Sequence, residues 1–187
     1  SLLTQLYNEC KEKSFLSEIY KDIINEIFQR AIDYSKLKKI EVSNNLFELI
    51  KDDKSEAKHL LINNYIENIE LYKTKESELQ NLVRVICSLP DKRIWLKYLE
   101  KIIFLSYEAK ISYSKYVVEI SNELIKSKNY KESIDLLEKA ISLFHENVFT
   151  DQLMIICSKY IEEAEYHLSI ALLNKLVSKH PDAEPLL

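Results

Sequence analysis

The chain has 187 residues and not one of them is glycine. Tight turns, left-handed helix caps and loops that let a ligand touch backbone all lean on glycine's freedom at positive φ. A chain without it is predicted to be mostly helix joined by short turns. The same absence excludes the dinucleotide fingerprint, the phosphate-binding P-loop and the nucleophile elbow, each of which needs glycine at fixed places.

Apolar residues return at steps of three and four almost throughout, as in Ile23, Ile24, Ile27, Phe28 and Ala31, or Leu60, Leu61, Tyr65, Ile66 and Ile69. That is a helix period, and strand-like alternation is never sustained. Polar clusters such as "KDDKSE" at 51–56, "LPDK" at 89–92 and "KSKN" at 126–129 mark the breaks, several with Ser or Asp suited to capping. Helices are predicted near 2–11, 15–35, 39–51, 55–73, 76–88, 91–109, 114–127, 130–145, 150–163 and 165–179. Ten helices then make five antiparallel pairs.

The last two pairs share one layout. Leu153, Ile156, Cys157 and Tyr160 on one helix are followed by Ser169, Leu173 and Leu176 on the next, then Pro181. Val117, Ile120, Ser121 and Leu124 are followed in the same rhythm by Ser133, Leu137 and Ala140, and Tyr130 and Tyr166 stand at matching places. This pattern resembles the tetratricopeptide repeat (TPR). Upstream, Leu79, Leu82, Val83 and Ile86 followed by Trp95, Leu99 and Ile102 keep the rhythm with bulkier residues. The resemblance implies an all-α fold, an α-solenoid of antiparallel helix pairs with a right-handed TPR-like superhelix. The whole of 1–187 is expected to form one such domain, clearest in the pairs 114–148 and 150–183 and degenerate in 2–35, 39–73 and 76–109. Stacked pairs bury apolar stripes that no single pair can bury alone.

The family's usual site is a concave groove lined by the first helix of each pair, binding a peptide or partner helix. Carried onto this sequence, the groove positions are Gln80 and Arg84, then Val118, Asn122 and Ile125, then Met154, Ser158 and Ile161. These tend to be apolar. Cations are missing where a carboxylate clamp would need them, so an apolar helix is the expected occupant.

Gross electrostatics favour neither a polyanion nor a membrane surface, because the net charge is −4 and Arg30, Arg84 and Arg93 are the only arginines. No stretch has the length of uncharged apolar sequence that a spanning helix needs, and no signal peptide opens the chain. Cys10, Cys87 and Cys157 are odd in number and lack paired spacing, which predicts reduced thiols in a cytoplasmic or nuclear setting. The initial Ser predicts a fragment of a larger protein. Leu186 and Leu187 leave the last pair without a polar cap, so that apolar end is expected to be exposed, covered by further sequence, or used in a homodimer.

Chemistry-bearing motifs are few. Glu56 and His59 have the spacing of a helical di-iron half-site, but no second copy occurs. His145-Glu146 begins like a zincin helix and lacks the second His. Glu162, Glu163 and Glu165 read as a wet acidic turn, and "HPD" at 180–182 spells a J-domain loop with no room for the helix that should follow. Trp95 with Tyr98 resembles the aromatic couple of half-a-TPR repeats, which implies an RNA-processing complex as one alternative; an accessory helical region of an enzyme is the other. The leading expectation is a non-catalytic protein-protein interaction scaffold with no catalytic residue, metal or cofactor.

Overall fold

The computed structural model describes residues 2–11, 17–143 and 147–179. Among them there is no strand, and ten α-helices follow one another: α1 Leu2–Lys11, α2 Ser17–Lys36, α3 Ile40–Ile50, α4 Ser55–Glu67, α5 Glu76–Cys87, α6 Lys92–Leu99, α7 Tyr107–Lys126, α8 Tyr130–Leu143, α9 Asn147–Glu162 and α10 Tyr166–Lys179. The all-α expectation holds. By its internal contacts the chain divides into two compact units, Ser1–Lys110 and Ile111–Leu187.

Two stretches differ from the sequence reading. The helix expected over 91–109 stops at Leu99, and α7 starts at Tyr107 rather than near 114. Apolar spacing runs unbroken through this stretch, since Ile102 and Ile103 are buried, and so conceals the stop. The start is set by Ser106, whose Oγ accepts from the backbone N–H of Ala109 at 3.3 Å and caps the helix. The helix expected over 55–73 ends at Glu67, where the Asn68 side chain donates back to the Asn64 carbonyl at 2.9 Å; a 3₁₀ turn at Ile69–Leu71 follows.

The α2–α3, α7–α8 and α9–α10 connections are one turn built three times. Lys38, Lys128 and Ala164 adopt positive φ of 57°, 61° and 61°. In each case the next residue donates back to the helix in the six-to-one bond of a Schellman motif: Lys39 to Tyr34 at 2.9 Å, Asn129 to Leu124 at 2.8 Å, Glu165 to Tyr160 at 2.8 Å. Left-handed caps therefore form without glycine, on two lysines and an alanine, at a cost of roughly 1–2 kcal/mol each. A short polar contact closes each hairpin just inside the turn. Ser43 Oγ donates to the Ala31 carbonyl at 2.7 Å, Ser121 and Ser133 hydroxyls meet at 2.8 Å, and Ser169 Oγ donates to the Cys157 carbonyl at 3.2 Å. All six residues are buried, because only small side chains let the helix backbones approach this closely.

The first of these hairpins runs across the boundary between the pairs expected over 2–35 and 39–73: the Lys38 turn and the Ala31–Ser43 contact join α2 to α3, while α1 also packs on α2 and α3 on α4. The spacing from Ala31 to Ser43 equals that from Ser121 to Ser133, but Arg30 stands where the later hairpins have Ile120 and Ile156, which hides the likeness.

In the first unit, Ile27, Ala31, Phe47, Ile50, Leu61, Ile62, Leu82 and Leu99 are essentially inaccessible. Through this core runs a hydrogen-bonded polar chain. Asn64 accepts from Ser35 Oγ at 2.9 Å and donates to Ser43 Oγ at 3.0 Å and Asn44 Oδ1 at 3.1 Å, while Asn44 donates to Tyr72 OH at 3.2 Å. In the second unit, Val117, Leu137, Ala140, Leu153, Ile156 and Cys157 form the core, as their spacing predicts, and Phe149 joins them because its helix begins at Asn147 rather than near 150.

Candidate interaction surface

The eight groove candidates fall into both units. Gln80 and Arg84 lie on α5 in the first; Gln80 is half-buried and donates to Glu76 at 3.4 Å, and Arg84 is exposed. In the second, Val118, Asn122 and Ile125 share one face of α7, and Met154, Ser158 and Ile161 share the matching face of α9. Val118, Asn122 and Met154 are half-buried, and Ser158 and Ile161 are exposed. Ile125 is only 9% exposed and belongs to the core rather than to a groove lining. Ser158 Oγ turns back onto the Met154 carbonyl at 3.1 Å, which leaves α9 presenting Met154, Ile161 and the exposed Ile155 as its accessible apolar groups.

A basic depression of about 450 Å³ beside the α2–α3 turn is absent from the sequence reading. Val42 and Leu71 are its exposed apolar groups, with Lys38, Lys39 and Lys75 around them. The "KLKK" run at 36–39 is the one sequence signal for it, since Leu71 and Lys75 arrive only through tertiary packing.

A constellation of ionisable groups around Asp53 is also missed by the sequence. Tyr7 and Tyr20 stack at 5.5 Å between ring centroids and both donate to Asp53, Tyr20 at 2.8 Å; Lys11 stands 4.0 Å from the same carboxylate. Each phenol satisfies one carboxylate oxygen, so the cluster ties α1 and α2 to the turn before α4 rather than offering a free base. Burial first, and then the bond to Asp53, pushes the Tyr7 phenol far above its ordinary range. Burial likewise raises Tyr20, Tyr65, Tyr72, Tyr130 and Tyr160. An acid whose folded pKa is raised contributes stability that is complete below the unfolded value of 10.0 and is lost as pH climbs toward the folded one. Urea midpoints followed by circular dichroism over roughly pH 8 to 11 are therefore expected to fall on the alkaline side, beginning near the ordinary phenol pKa. A flat profile there would contradict the buried placement of these rings.

No family model, curated protein or solved structure matches the chain. The remaining motifs are accounted for by their own contacts. Trp95 Nε1 donates to the Leu89 carbonyl at 2.8 Å and folds the α5–α6 turn, while Tyr98 lies 6.4 Å from the His59 ring. Among the described residues no group of three or more His, Cys, Asp or Glu could hold a metal ion, and no helix is long and apolar enough to cross a membrane. Glu162, Glu163 and Glu165 pair with Lys159 at 2.6 Å, Lys128 at 2.8 Å and His167 at 3.6 Å. The bond from Lys128, seconded by Tyr130, holds the Glu163 carboxyl below the usual range. His145-Glu146, the "HPD" at 180–182, and Leu186 with Leu187 lie outside the described residues.

Proposed function

We propose that the chain is a non-catalytic scaffold for protein-protein interaction, a TPR-like array of helical hairpins inside a larger intracellular assembly, which holds a partner's apolar helix in a concave groove. The observation that carries this reading is the face of α9, where Met154 and Ile161, seven residues apart with Ser158 between them, keep accessible surface on a helix whose other side is packed. Apolar side chains spaced along one helix face suit helix-in-groove recognition. The recurrent turns and small-residue contacts of the hairpins support the repeat reading. They are the features by which successive pairs of similar length could stack.

The test uses the full-length protein. Val118→Glu and Met154→Glu introduce charge at half-buried groove positions and are expected to weaken capture of the native partner at least ~10-fold, about 1.4 kcal/mol, with helicity and melting preserved. Full retention of every partner by well-folded variants would remove the groove as the binding face.

A further inference from the structure

The α7–α8 and α9–α10 hairpins can be compared position by position, thirty-six residues apart. Ile125, Tyr130 and Ile134 of the first correspond to Ile161, Tyr166 and Ile170 of the second. In the first hairpin these positions are covered by the second. Tyr130 packs edge-on against Tyr160 at 5.1 Å, Ile134 lines a small cleft with Leu168 and Leu172, and Ile125 and Tyr130 are 9% and 7% exposed. In the second hairpin the same residue types are bare: Ile161, Tyr166 and Ile170 are 50%, 58% and 55% exposed. In the first unit the counterpart of Ile134 on the α2–α3 hairpin is Asn44, also buried, against Asn64 of α4 and Tyr72. The position of Ile134 is thus covered in two hairpins and open in the third.

Charge indicates what fits there. The α7–α8 turn carries Lys126, Lys128 and Lys131, and the corresponding α9–α10 turn carries Glu162, Glu165 and His167, with Glu163 between. The two turns meet through the Lys128–Glu163 pair, so basic against acidic is how this chain seats one hairpin on the next. Packed parallel, a second copy of the same face would bring glutamates against glutamates, which is repulsive; a cation on the incoming helix removes that cost. From this geometry we infer that the outer face of α10, with Tyr166, Ile170 and the neighbouring Ile161 as its apolar floor and the acidic turn at its edge, docks an amphipathic helix of another protein that carries lysine or arginine beside its apolar stripe. This surface meets the groove of the proposed function only at Ile161, and its other contacts are its own.

The test is fluorescence anisotropy of the 187-residue chain with two labelled synthetic helices of about 18 residues, alike in apolar stripe and flanked by lysines in one and glutamates in the other. The lysine helix is expected to bind at least ~10-fold tighter at low salt, with the gap narrowing as salt screens it. Ile170→Glu and Tyr166→Ala, both at exposed positions, are expected to weaken it ~10-fold, and the double charge reversal Glu162→Lys with Glu165→Lys should invert the preference. Val118→Glu should leave this binding unchanged, which separates the site from the groove. Equal affinity for both helices, no binding by either, indifference to the substitutions at 166 and 170, or a dimer in sedimentation that those substitutions abolish would each overturn the inference.

Discussion

Asn64→Ala is expected to lower the urea unfolding midpoint of the first unit more than truncation of any surface residue, with a loss of about 2–4 kcal/mol. Asn64 is 6% exposed and stands at the centre of the polar chain linking Ser35 on α2, Ser43 and Asn44 on α3, and Asn64 itself on α4. Truncation removes three hydrogen bonds at once, yet leaves the groups that made them in place. Ser43 keeps its bond to the Ala31 carbonyl, and Asn44 keeps its bond to Tyr72. The Asn44 oxygen, however, is left buried without a donor. An orphaned polar atom in a dry core costs more than a good hydrogen bond contributes, and this asymmetry dominates the expected loss. Asn64→Leu should not rescue it, because added apolar volume satisfies neither Asn44 nor Ser35. A cost below about 0.5 kcal/mol, the usual range for surface changes, would mean that the network is open to water.

Ser133→Leu is the second large effect, with an expected loss of about 3 kcal/mol in the second unit. Its hydroxyl lies 2.8 Å from that of Ser121, and both residues are wholly inaccessible. A leucine must therefore push α7 and α8 apart or adopt a strained rotamer, and it also strands the Ser121 hydroxyl. Ser133→Ala isolates the second contribution and should cost only about 1–2 kcal/mol. Chemical denaturation of both variants separates crowding from the lost hydrogen bond. Equal costs for alanine and leucine would show that the helices have room between them. The hydroxyl of Ser43 and that of Ser169 make corresponding contacts in their own hairpins, so the lesson extends to all three.

Much of this is legible in the sequence. Helical spacing places the helices within a few residues except around 68–73 and 91–113. In the second of these stretches the apolar period runs on through Ile102 and Ile103, and only the cap at Ser106 shows where the next helix begins. The motif positions Val117, Ser121, Ser133, Leu137, Leu153, Cys157 and Ser169 are buried, as their period predicts, whereas Leu173 is half-buried and its neighbour Leu172 is buried instead. The hairpin of α2 and α3 is not legible, because Arg30 interrupts the stripe that the other two keep. The burial of Asn44 and Asn64 has no sequence signal: their partners are each other and Ser35, Ser43 and Tyr72, and no local pattern encodes that. The Tyr7–Tyr20–Asp53 cluster draws on three separate segments, which spacing cannot connect. In the groove set, Ile125 is 9% exposed and its counterpart Ile161 50%; the spacing gives both the same position and cannot tell which of them a neighbouring hairpin covers.

The three bends made by Lys38, Lys128 and Ala164 have a consequence away from the native state. At the bends the strain of positive φ outweighs what a side chain returns by restricting the denatured chain, but the want of glycine everywhere else leaves that chain with less disorder to surrender on folding. Part of the resistance of this protein to unfolding accordingly resides in the stiffness of its disordered form.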